Sequence, residues 1–212
     1  MRKLIVSTFM TLDGVMQAPG APEEDRDGGF EHGGWAFGYW DEVVDETMHA
    51  SMTRPFDLLL GRRTYEIFAA HWPHSEEPAA APLNDATKYV ASTTLTSVEW
   101  QNSQLLQGPL ADAVNAVKAQ DGPDIQVQGS ADLIQSLHAD RLIDEFNVWT
   151  FPLILGTGKR LFEPGAPAGG LEVIDSKVSP SGVIMTRYRT GAEIKGGSFV
   201  QAELDRRAGG EG

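Results

Sequence analysis

The chain carries, at residues 58–66, the run Leu-Leu-Leu-Gly-Arg-Arg-Thr-Tyr-Glu. Its apolar first half is short and ends at a glycine, which predicts a buried strand over residues 57–61. The polar residues that follow without a gap predict a helix over residues 62–71. A strand that passes directly into a helix is one half of a β–α–β unit, so this run indicates a parallel sheet.

The same alternation continues on both sides of this unit. Further strands are predicted at residues 3–9, 88–92 and 124–129, with a short one near residues 98–100, and further helices at residues 40–53, from residue 108 and from residue 130. The chain closes with a long apolar run at residues 145–155 and with two strands, 171–178 and 183–189, around a Ser-Pro-Ser-Gly turn. The pattern predicts an α/β fold with a mixed, mainly parallel sheet and a C-terminal antiparallel hairpin.

The 212 residues are predicted to form one domain over residues 1–190, followed by a polar, glycine-rich tail over residues 191–212. Two long connections interrupt the regular pattern. Residues 10–39 form a loop rich in glycine, proline and charge, and such a long loop is often functional. Residues 72–84 are rich in proline and alanine and are predicted to be a surface connection.

The composition excludes several classes of function. The formal net charge is −13, which disfavours binding to nucleic acids and to anionic membranes. The absence of cysteine excludes disulfides, thiolate zinc sites and thiol nucleophiles. The apolar start of the chain is predicted to be a strand rather than a signal peptide, and no later run has the length of a membrane span. A cytoplasmic location is therefore expected.

Arg62 and Arg63 stand in the first turn of the helix predicted after Gly61. The free N–H groups at a helix N-terminus form a positive end, which two arginines oppose unless an anion lies nearby. Such a site suits a phosphate group, because arginine adds charge-assisted hydrogen bonds to it. The alternative is that both arginines pair with carboxylates at the surface, and local physics favours neither interpretation.

A second strand-to-helix junction is predicted at Gln128-Gly129-Ser130. The glycine permits a close approach of a ligand, and the hydroxyl and N–H groups of Ser130 are suited to hold a phosphate. An ordinary helix cap is the alternative interpretation of this pair. Two junctions of this kind on parallel units indicate a dinucleotide site at the carboxyl ends of the strands.

Two further motifs carry no predicted site. Gly156-Thr-Gly-Lys159 lacks the spacer and the following Ser or Thr of a phosphate-binding loop. Pro73 prevents His71 and His74 from sharing one helix face, so no metal site is predicted there or elsewhere.

The motifs together resemble the dihydrofolate-reductase-like superfamily, and most closely the branch that contains the reductase domain of bacterial riboflavin biosynthesis and its stand-alone relatives. The matching stretches, in family order, are Thr11-Leu-Asp-Gly-Val15, Gly33-Gly-Trp-Ala-Phe37 with Tyr39-Trp-Asp-Glu42, Leu60-Gly-Arg-Arg-Thr-Tyr-Glu66, Gln128-Gly-Ser130 and Phe151-Pro-Leu-Ile-Leu-Gly-Thr-Gly-Lys-Arg-Leu-Phe162. They span nearly the whole chain up to about Arg189. The resemblance implies a three-layer α/β/α fold, NADPH as the cofactor and a small-molecule substrate.

The resemblance also implies which residues bind the cofactor. They are Gly61, Arg62, Arg63, Thr64, Ser92, Thr93, Gly129, Ser130 and Leu133. The first four fall where the family grips the adenosine phosphates, and Ser92 and Thr93 fall beside the adenine ribose. Gly129 and Ser130 match the family's glycine pair under the pyrophosphate, with serine in place of the second glycine.

Three carboxylates are candidate proton donors. Folate reductases place a carboxylate in the first helix, and that position falls near Asp45, with Asp41 as an alternative. Asp13 lies in the loop that flanks the nicotinamide and the substrate in the family. The simpler interpretation of Asp41 and Asp45, together with Glu42 and Glu46, is a solvent-facing stripe. The resemblance also implies that a pyrimidine reductase of this type does not need a carboxylate.

The expected activity is hydride transfer from NADPH to a pterin- or pyrimidine-like heterocycle. One alternative is a riboflavin-pathway aminopyrimidine reductase, whose phosphorylated substrate would need Lys159 and Arg160 as its basic site. Another is a nucleotide-binding protein without turnover, because a fold does not fix a function. A homodimer is also expected, since residues 146–155 are too apolar for an exposed edge strand and related reductases pair through late elements of the sheet.

Overall fold

One eight-stranded sheet organises the protein in the computed structural model, which describes residues 1–200. Its strands are β1 (Leu4–Thr11), β2 (Asp57–Gly61), β3 (Lys88–Ala91), β4 (Ser103–Leu105), β5 (Ile125–Val127), β6 (Glu145–Phe151), β7 (Gly170–Val178) and β8 (Ile184–Ala192). The helices are α1 (Glu42–Met52), α2 (Arg62–His71), α3 (Ala80–Asp85), α4 (Leu110–Ala119) and α5 (Ala131–Ala139). The predicted bounds of β2 and α2 are confirmed.

The strand order is β4-β3-β2-β5-β1-β6-β8-β7. The first six strands of this order run parallel, β8 pairs antiparallel with β6, and β7 pairs antiparallel with β8. The predicted mixed, mainly parallel sheet with a C-terminal antiparallel hairpin is thus confirmed. A turn at residues 179–183 joins β7 to β8, and Ser179 N–H donates to the Val183 carbonyl.

Helices cover both faces of the sheet. Leu4 and Val6 of β1 pack with Val114 of α4 and Ile134 of α5 in one core. The other face carries a core under α1 that contains Val44 and Trp149, and a separate core under α2 that contains Leu58 and Tyr65. Because alternate residues of a strand point to opposite faces, each central strand contributes to both layers. The expected three-layer arrangement is therefore present.

Two local predictions were wrong. The short strand expected near residues 98–100 is β4, which lies five residues further on. The N–H groups of Glu99 and Trp100 instead donate to the Tyr65 hydroxyl, at 2.9 and 3.0 Å, so they are not available to a strand ladder. The connection at residues 72–84 is not all surface, because it contains most of α3, whose Leu83 is buried under α2.

Two predicted boundaries also shift. The apolar run at residues 145–155 forms a strand only to Phe151, because Pro152 has no N–H to continue the ladder. Strand β8 continues through Ala192, two residues into the predicted tail, and pairs there with Gly170. The last part of that tail, residues 201–212, lies outside the described residues.

Candidate active site

A cleft of about 950 Å³ opens between α1 and α2. Its floor is the face of the sheet formed by β5, β1 and β6, its walls come from the two helices, and the long connection between β1 and α1 covers part of it. The floor residues are Ser7, Phe9, Gln126, Gln128, Asn147 and Trp149. Helix α1 contributes Met48, Ser51 and Met52, and α2 contributes Arg63, Thr64, Ile67 and Phe68.

The two strand-to-helix junctions predicted to bind the cofactor are in contact at one end of the cleft. The Gly61 N–H donates to the Gly129 carbonyl at 3.1 Å. A Cβ atom at Gly61 would overlap the Ser130 hydroxyl, and one at Gly129, where φ is +153°, would overlap the Thr64 hydroxyl. Both positions therefore require glycine, and their glycines bring the starts of α2 and α5 side by side.

Ser130 occupies the N-cap position of α5, but its side chain makes no capping hydrogen bond. The Gly129–Ser130 peptide bond is cis. Ser130 and Gly129 both line the cleft. The ordinary helix-cap interpretation of this serine is thus not supported, and its hydroxyl lies beside Gly61.

The two arginines of α2 have different surroundings. Arg62 lies outside the cleft, and its Nη1 contacts both carboxylate oxygens of Glu66 at 3.1 Å. Arg63 lines the cleft, and its Nη2 lies 3.4 Å from Asp25 Oδ1. Pairing with carboxylates, one of the two alternatives considered from the sequence, therefore occurs at both positions, but both side chains remain about half exposed.

The remaining predicted cofactor residues differ in burial: Ser92 and Thr93 follow β3 near the surface, whereas Leu133 lies in the core. Ser92 follows β3, next to the Gly61 end of β2, and its hydroxyl accepts hydrogen bonds from the N–H groups of Thr94 and Leu95. Thr93 beside it is exposed. Leu133 is buried in the core under α5 and does not line the cleft, so it supports the helix rather than contacting a ligand there.

An ion-pair cluster ties the connection between β1 and α1, here called the covering loop, to Lys159 at the edge of the cleft. The buried Asp25 accepts a hydrogen bond from Lys159 Nζ at 2.8 Å, and Asp27 lies 2.9 Å from the same nitrogen. Burial alone would lower the pKa of Lys159, but its hydrogen bonds to these two carboxylates raise it above its ordinary value. Lys159 is therefore a paired cation. Arg160 binds the backbone carbonyls of Asp13 and Gly156 outside the cleft.

Neither Asp13 nor Asp41 lies in the cleft. Burial raises the pKa of the Asp13 carboxyl, but hydrogen bonds from Thr11 and from the N–H groups of Gly156 and Leu155 outweigh it and lower that pKa to about 2. The Asp41 carboxyl caps α1 by accepting from Val44 N–H, and its pKa is also lowered to about 2. Both groups stay ionised at neutral pH, which does not suit a proton donor.

Asp45, the third predicted proton donor, is not among the residues that line the cleft. Its carboxyl accepts from Trp40 Nε1 at 3.2 Å and lies 3.4 Å from His49 Nε2. The side chain is half exposed. The geometry thus corrects the expectation from folate reductases, because the residues of α1 that line the cleft are Met48, Ser51 and Met52.

The sequence analysis missed the acidic residue best placed in the cleft. Glu24 lines the cleft, and its Oε2 accepts hydrogen bonds from Gly20 N–H at 2.7 Å and Ala21 N–H at 3.2 Å. Burial raises the pKa of this carboxyl, and the charge of Asp25 adds to the rise. Glu24 lies in a loop whose sequence has no periodic pattern, so the sequence could not predict that its side chain lines the cleft.

Neither a metal-binding cluster nor a membrane-spanning helix is found among the described residues. No three histidine, aspartate or glutamate side chains within residues 1–200 come together as a group that could hold a metal ion. No helix within the same range is long and apolar enough to cross a bilayer.

Comparison with known proteins gives a consistent result. A family model described as RibD C-terminal domain matches residues 2–185. The protein YyaP of Bacillus subtilis (strain 168) is 28% identical over 194 residues, which cover 88% of this chain and 94% of that protein. A structure described as a putative riboflavin biosynthesis protein from Shewanella sp. PV-4 has a TM-score of 0.70 at 25% identity and covers 90% of this chain and 99% of its own.

The dihydrofolate-reductase-like fold is also confirmed by comparison. Dihydrofolate reductase from Enterococcus faecalis, solved in complex with NADP(H) and RAB-propyl, has a TM-score of 0.56 and covers 90% of this chain and 97% of its own. At 12% identity this likeness concerns the fold alone.

Proposed function

The chain belongs to the RibD C-terminal domain family, and on that premise we propose that it is an NADPH-dependent reductase that transfers a hydride to a small pterin- or pyrimidine-like heterocycle. The observation that carries the proposal is the continuous cleft, which joins the paired helix starts at Gly61 and Gly129 to a floor of planar and polar side chains. Ligands of open α/β sheets bind at the carboxyl ends of the strands, where these junctions lie.

The residues at the junctions fit a dinucleotide. The N-termini of α2 and α5 offer free N–H groups, and Thr64 and Ser130 add hydroxyls where a Cβ at Gly61 or Gly129 would fill the space. Arg62 and Arg63 supply positive charge in a protein of net charge −13. We assign the pyrophosphate to Thr64, Gly129 and Ser130, and the adenosine phosphate to Arg62 with Ser92 and Thr93.

NADPH bound here would supply the hydride. The protein's own residues would hold the substrate against the floor, align it by contacts with the helices, and exclude water by closing residues 16–25 over the cleft. Glu24 is the cleft carboxyl with a raised pKa, so we assign it the role of carrying a proton to the reduced ring.

A riboflavin-pathway aminopyrimidine reductase is the less supported alternative. Its phosphorylated substrate would need an available cation near the floor. Lys159 is held by Asp25 and Asp27, and Arg160 by backbone carbonyls outside the cleft. Arg63, the other cation of the cleft lining, is paired with Asp25. A nucleotide-binding protein without turnover remains the second alternative.

The test combines cofactor binding with turnover. Calorimetric titration of the full chain should give saturable NADPH binding, and NADPH oxidation should be measured against pterins, pyrimidine-diones and quinones. Oxidation with a heterocycle from the panel supports the reductase. Tight NADPH binding with no oxidation by any compound would favour the non-catalytic alternative, and no NADPH binding would refute the proposal.

A further inference from the structure

Asp25 directly follows Glu24, the proposed proton donor, in the covering loop, and both residues line the cleft. The Asp25 side chain is only 10% exposed, and a buried carboxylate is costly unless it is paired. Lys159 Nζ donates to its Oδ2 at 2.8 Å, and Arg63 Nη2 lies 3.4 Å from its Oδ1. The two cations belong to different elements, the connection after β6 and the first turn of α2, so one carboxylate joins both elements to the loop.

The backbone of this part of the loop is also anchored by an uncharged side chain. The buried Gln17 amide donates through Nε2 to the carbonyls of Asp25 and Asp27, at 3.1 and 3.0 Å. Its Oε1 accepts from the Lys159 N–H at 3.0 Å. Because these bonds do not involve the Asp25 carboxylate, removal of its charge should leave the path of the loop intact.

Few charges surround Glu24 in the cleft. Besides Glu24, the charged side chains that line it are Asp25, Arg63, Lys159 and Glu77. Glu77 is exposed, whereas Arg63 and Lys159 are both paired with Asp25. Burial raises the pKa of the Glu24 carboxyl, and the charge of Asp25 raises it further, since a like charge favours the protonated form.

The other charged residues of this part of the loop do not line the cleft. Glu23 and Arg26 form an exposed pair with each other. Asp27 lies 2.9 Å from Lys159 Nζ, but its side chain is 63% exposed and is not among those that line the cleft. Asp25 is thus the loop charge that both borders Glu24 and reaches the cleft.

We propose that Asp25 is a positioning residue for proton transfer, and that its ion pairs with Arg63 and Lys159 fix Glu24 in the cleft. Glu24 carries the proton, while its Oε2 is held by the N–H groups of Gly20 and Ala21. Asp25 acts through Glu24 and exchanges no proton with the substrate. This role rests on the proposed reductase function, but it can also be tested without cofactor or substrate.

The first test is a direct titration of Glu24 by NMR in the full chain with isotope-labelled glutamate. The Glu24 carboxyl signal is identified by its absence from Glu24→Gln, and its pKa should lie above the ordinary value of 4.5. Asp25→Asn keeps the shape of the side chain and an acceptor for the Asp27 N–H, but it removes the charge. The proton affinity of Glu24 should therefore fall about tenfold. Asp25→Glu keeps the charge and should restore the wild-type pKa.

The second test follows the position of Glu24. Hydrogen exchange of the Gly20 and Ala21 N–H groups reports their bonds to its carboxylate. Loss of the ion pairs in Asp25→Asn should make this exchange about tenfold faster. Where a compound of the heterocycle panel supports NADPH oxidation, the fall in turnover should move to lower pH in Asp25→Asn, together with the pKa of Glu24.

Asp27→Asn is the matched control, because Asp27 also pairs with Lys159 but lies outside the cleft. It should leave the Glu24 pKa, the amide exchange and the pH profile unchanged. The proposal is overturned if Asp25→Asn changes neither the pKa nor the exchange, if Asp27→Asn has the same effect, or if Asp25→Glu does not restore the pKa. Failure of the reductase proposal has a different signature, in which no compound supports NADPH oxidation although the Glu24 pKa still depends on Asp25. That result would withdraw the role in proton transfer from both residues.

Discussion

Arg62 and Arg63 are sequence neighbours on α2, yet their carboxylate partners lie in different parts of the molecule. Arg63 pairs with Asp25 of the covering loop, so its charge helps to hold that loop over the cleft. Arg62 pairs with Glu66 one helical turn away, and exposed pairs of this spacing contribute only about 0.3–0.5 kcal/mol. A phosphate can replace such a weak partner at little cost.

Cofactor choice follows from this difference. NADPH and NADH differ by one phosphate, and a charge-assisted hydrogen bond to it contributes about 1.5–3 kcal/mol, or roughly ten- to a hundredfold in affinity. Arg62→Ala should therefore weaken NADPH binding by about that factor and leave NADH binding nearly unchanged. Glu66→Ala should strengthen NADPH binding about twofold, since it releases Arg62.

Calorimetric titration of both cofactors into wild type and variants measures the effect, with Glu66→Gln as the control for loss of charge alone. The wild-type preference should shrink as salt is added, because the contact is exposed. Equal affinity of the wild type for the two cofactors would sink the assignment.

Glu24 makes a second prediction at the residue scale. A proton donor acts in its protonated form, so turnover should be full below its raised pKa and should fall as the pH rises through that pKa. Glu24→Gln should lower kcat by roughly a hundredfold and remove this fall from the pH profile, while NADPH affinity stays the same. Glu77→Gln is the matched control, because Glu77 also lines the cleft but is exposed and bonded to Ser75. An unchanged pH profile in Glu24→Gln would show that the proton comes from elsewhere.

At the scale of elements, the start of α1 is tied to the hairpin at the far end of the chain. Asp41 Oδ1 accepts from Val44 N–H at 2.9 Å, and its Oδ2 accepts from Ser181 N–H at 2.8 Å. Ser181 in turn donates its hydroxyl to the Tyr39 carbonyl at 2.6 Å. These bonds fix one wall of the cleft to the turn between β7 and β8.

Asp41→Ala should therefore lower the melting temperature by a few degrees. The folded-state pKa of about 2 lies below the ordinary value of 3.8, so the carboxylate stabilises the fold above about pH 4, and this contribution is lost as the pH falls toward 2. Asp41→Asn should flatten that acid-side loss. Thermal melts from pH 2 to 7 measure both effects, and Asp45→Asn on the same helix is the control expected to melt like the wild type. A melting temperature of Asp41→Ala within a degree of the wild-type value would show that the Asp41 hydrogen bonds do not stabilise the fold.

The sequence could predict the features that local residues determine, but not those that depend on contacts between distant parts of the chain. The bounds of β2 and α2 follow from local features, an apolar run that stops at a glycine and a helix that starts at once. The end of the cleft at which α2 and α5 begin could be anticipated for the same reason, since its residues follow directly after strands. The roles of Asp41 and Glu24 could not, because they depend on Ser181 and on the path of a loop, both set by tertiary packing.

At the scale of the whole molecule, the reason given by the sequence for a homodimer does not hold. Strand β6 is not an edge, because it lies between β1 and β8, and its Phe146 and Val148 pack in the core under α5. Within residues 1–200, the edge of the sheet on this side is β7, which pairs with β8 alone. A pairing surface must therefore be sought on the hairpin.

The hairpin carries an exposed apolar stripe on the face of the sheet that bears α5. The strand register places Val178 opposite Ile184, and it places Leu171 and Val173 on the same face. Their exposed fractions are 63%, 44%, 44% and 60% respectively. The paired hydroxyls of Ser176 and Thr186 lie between the Val178–Ile184 pair and Val173 on this face. Exposed apolar side chains grouped at a sheet edge are typical of a surface that another chain covers.

We therefore expect a homodimer in which the stripes of two copies pack together. Val173→Asp combined with Val178→Asp places two carboxylates in that contact, and because burying unpaired charges is costly, the double variant should be monomeric. Sedimentation velocity at micromolar concentration distinguishes the two states. Ile194→Asp is the matched control, since Ile194 is also exposed but follows β8 and lies outside the stripe, so this variant should remain a dimer.

The cofactor affinity of the monomeric variant should equal that of the wild type, because the cleft lies on the opposite face of the sheet. A wild-type monomer at these concentrations would contradict the expectation, and a dimer that survives both substitutions would place the interface elsewhere.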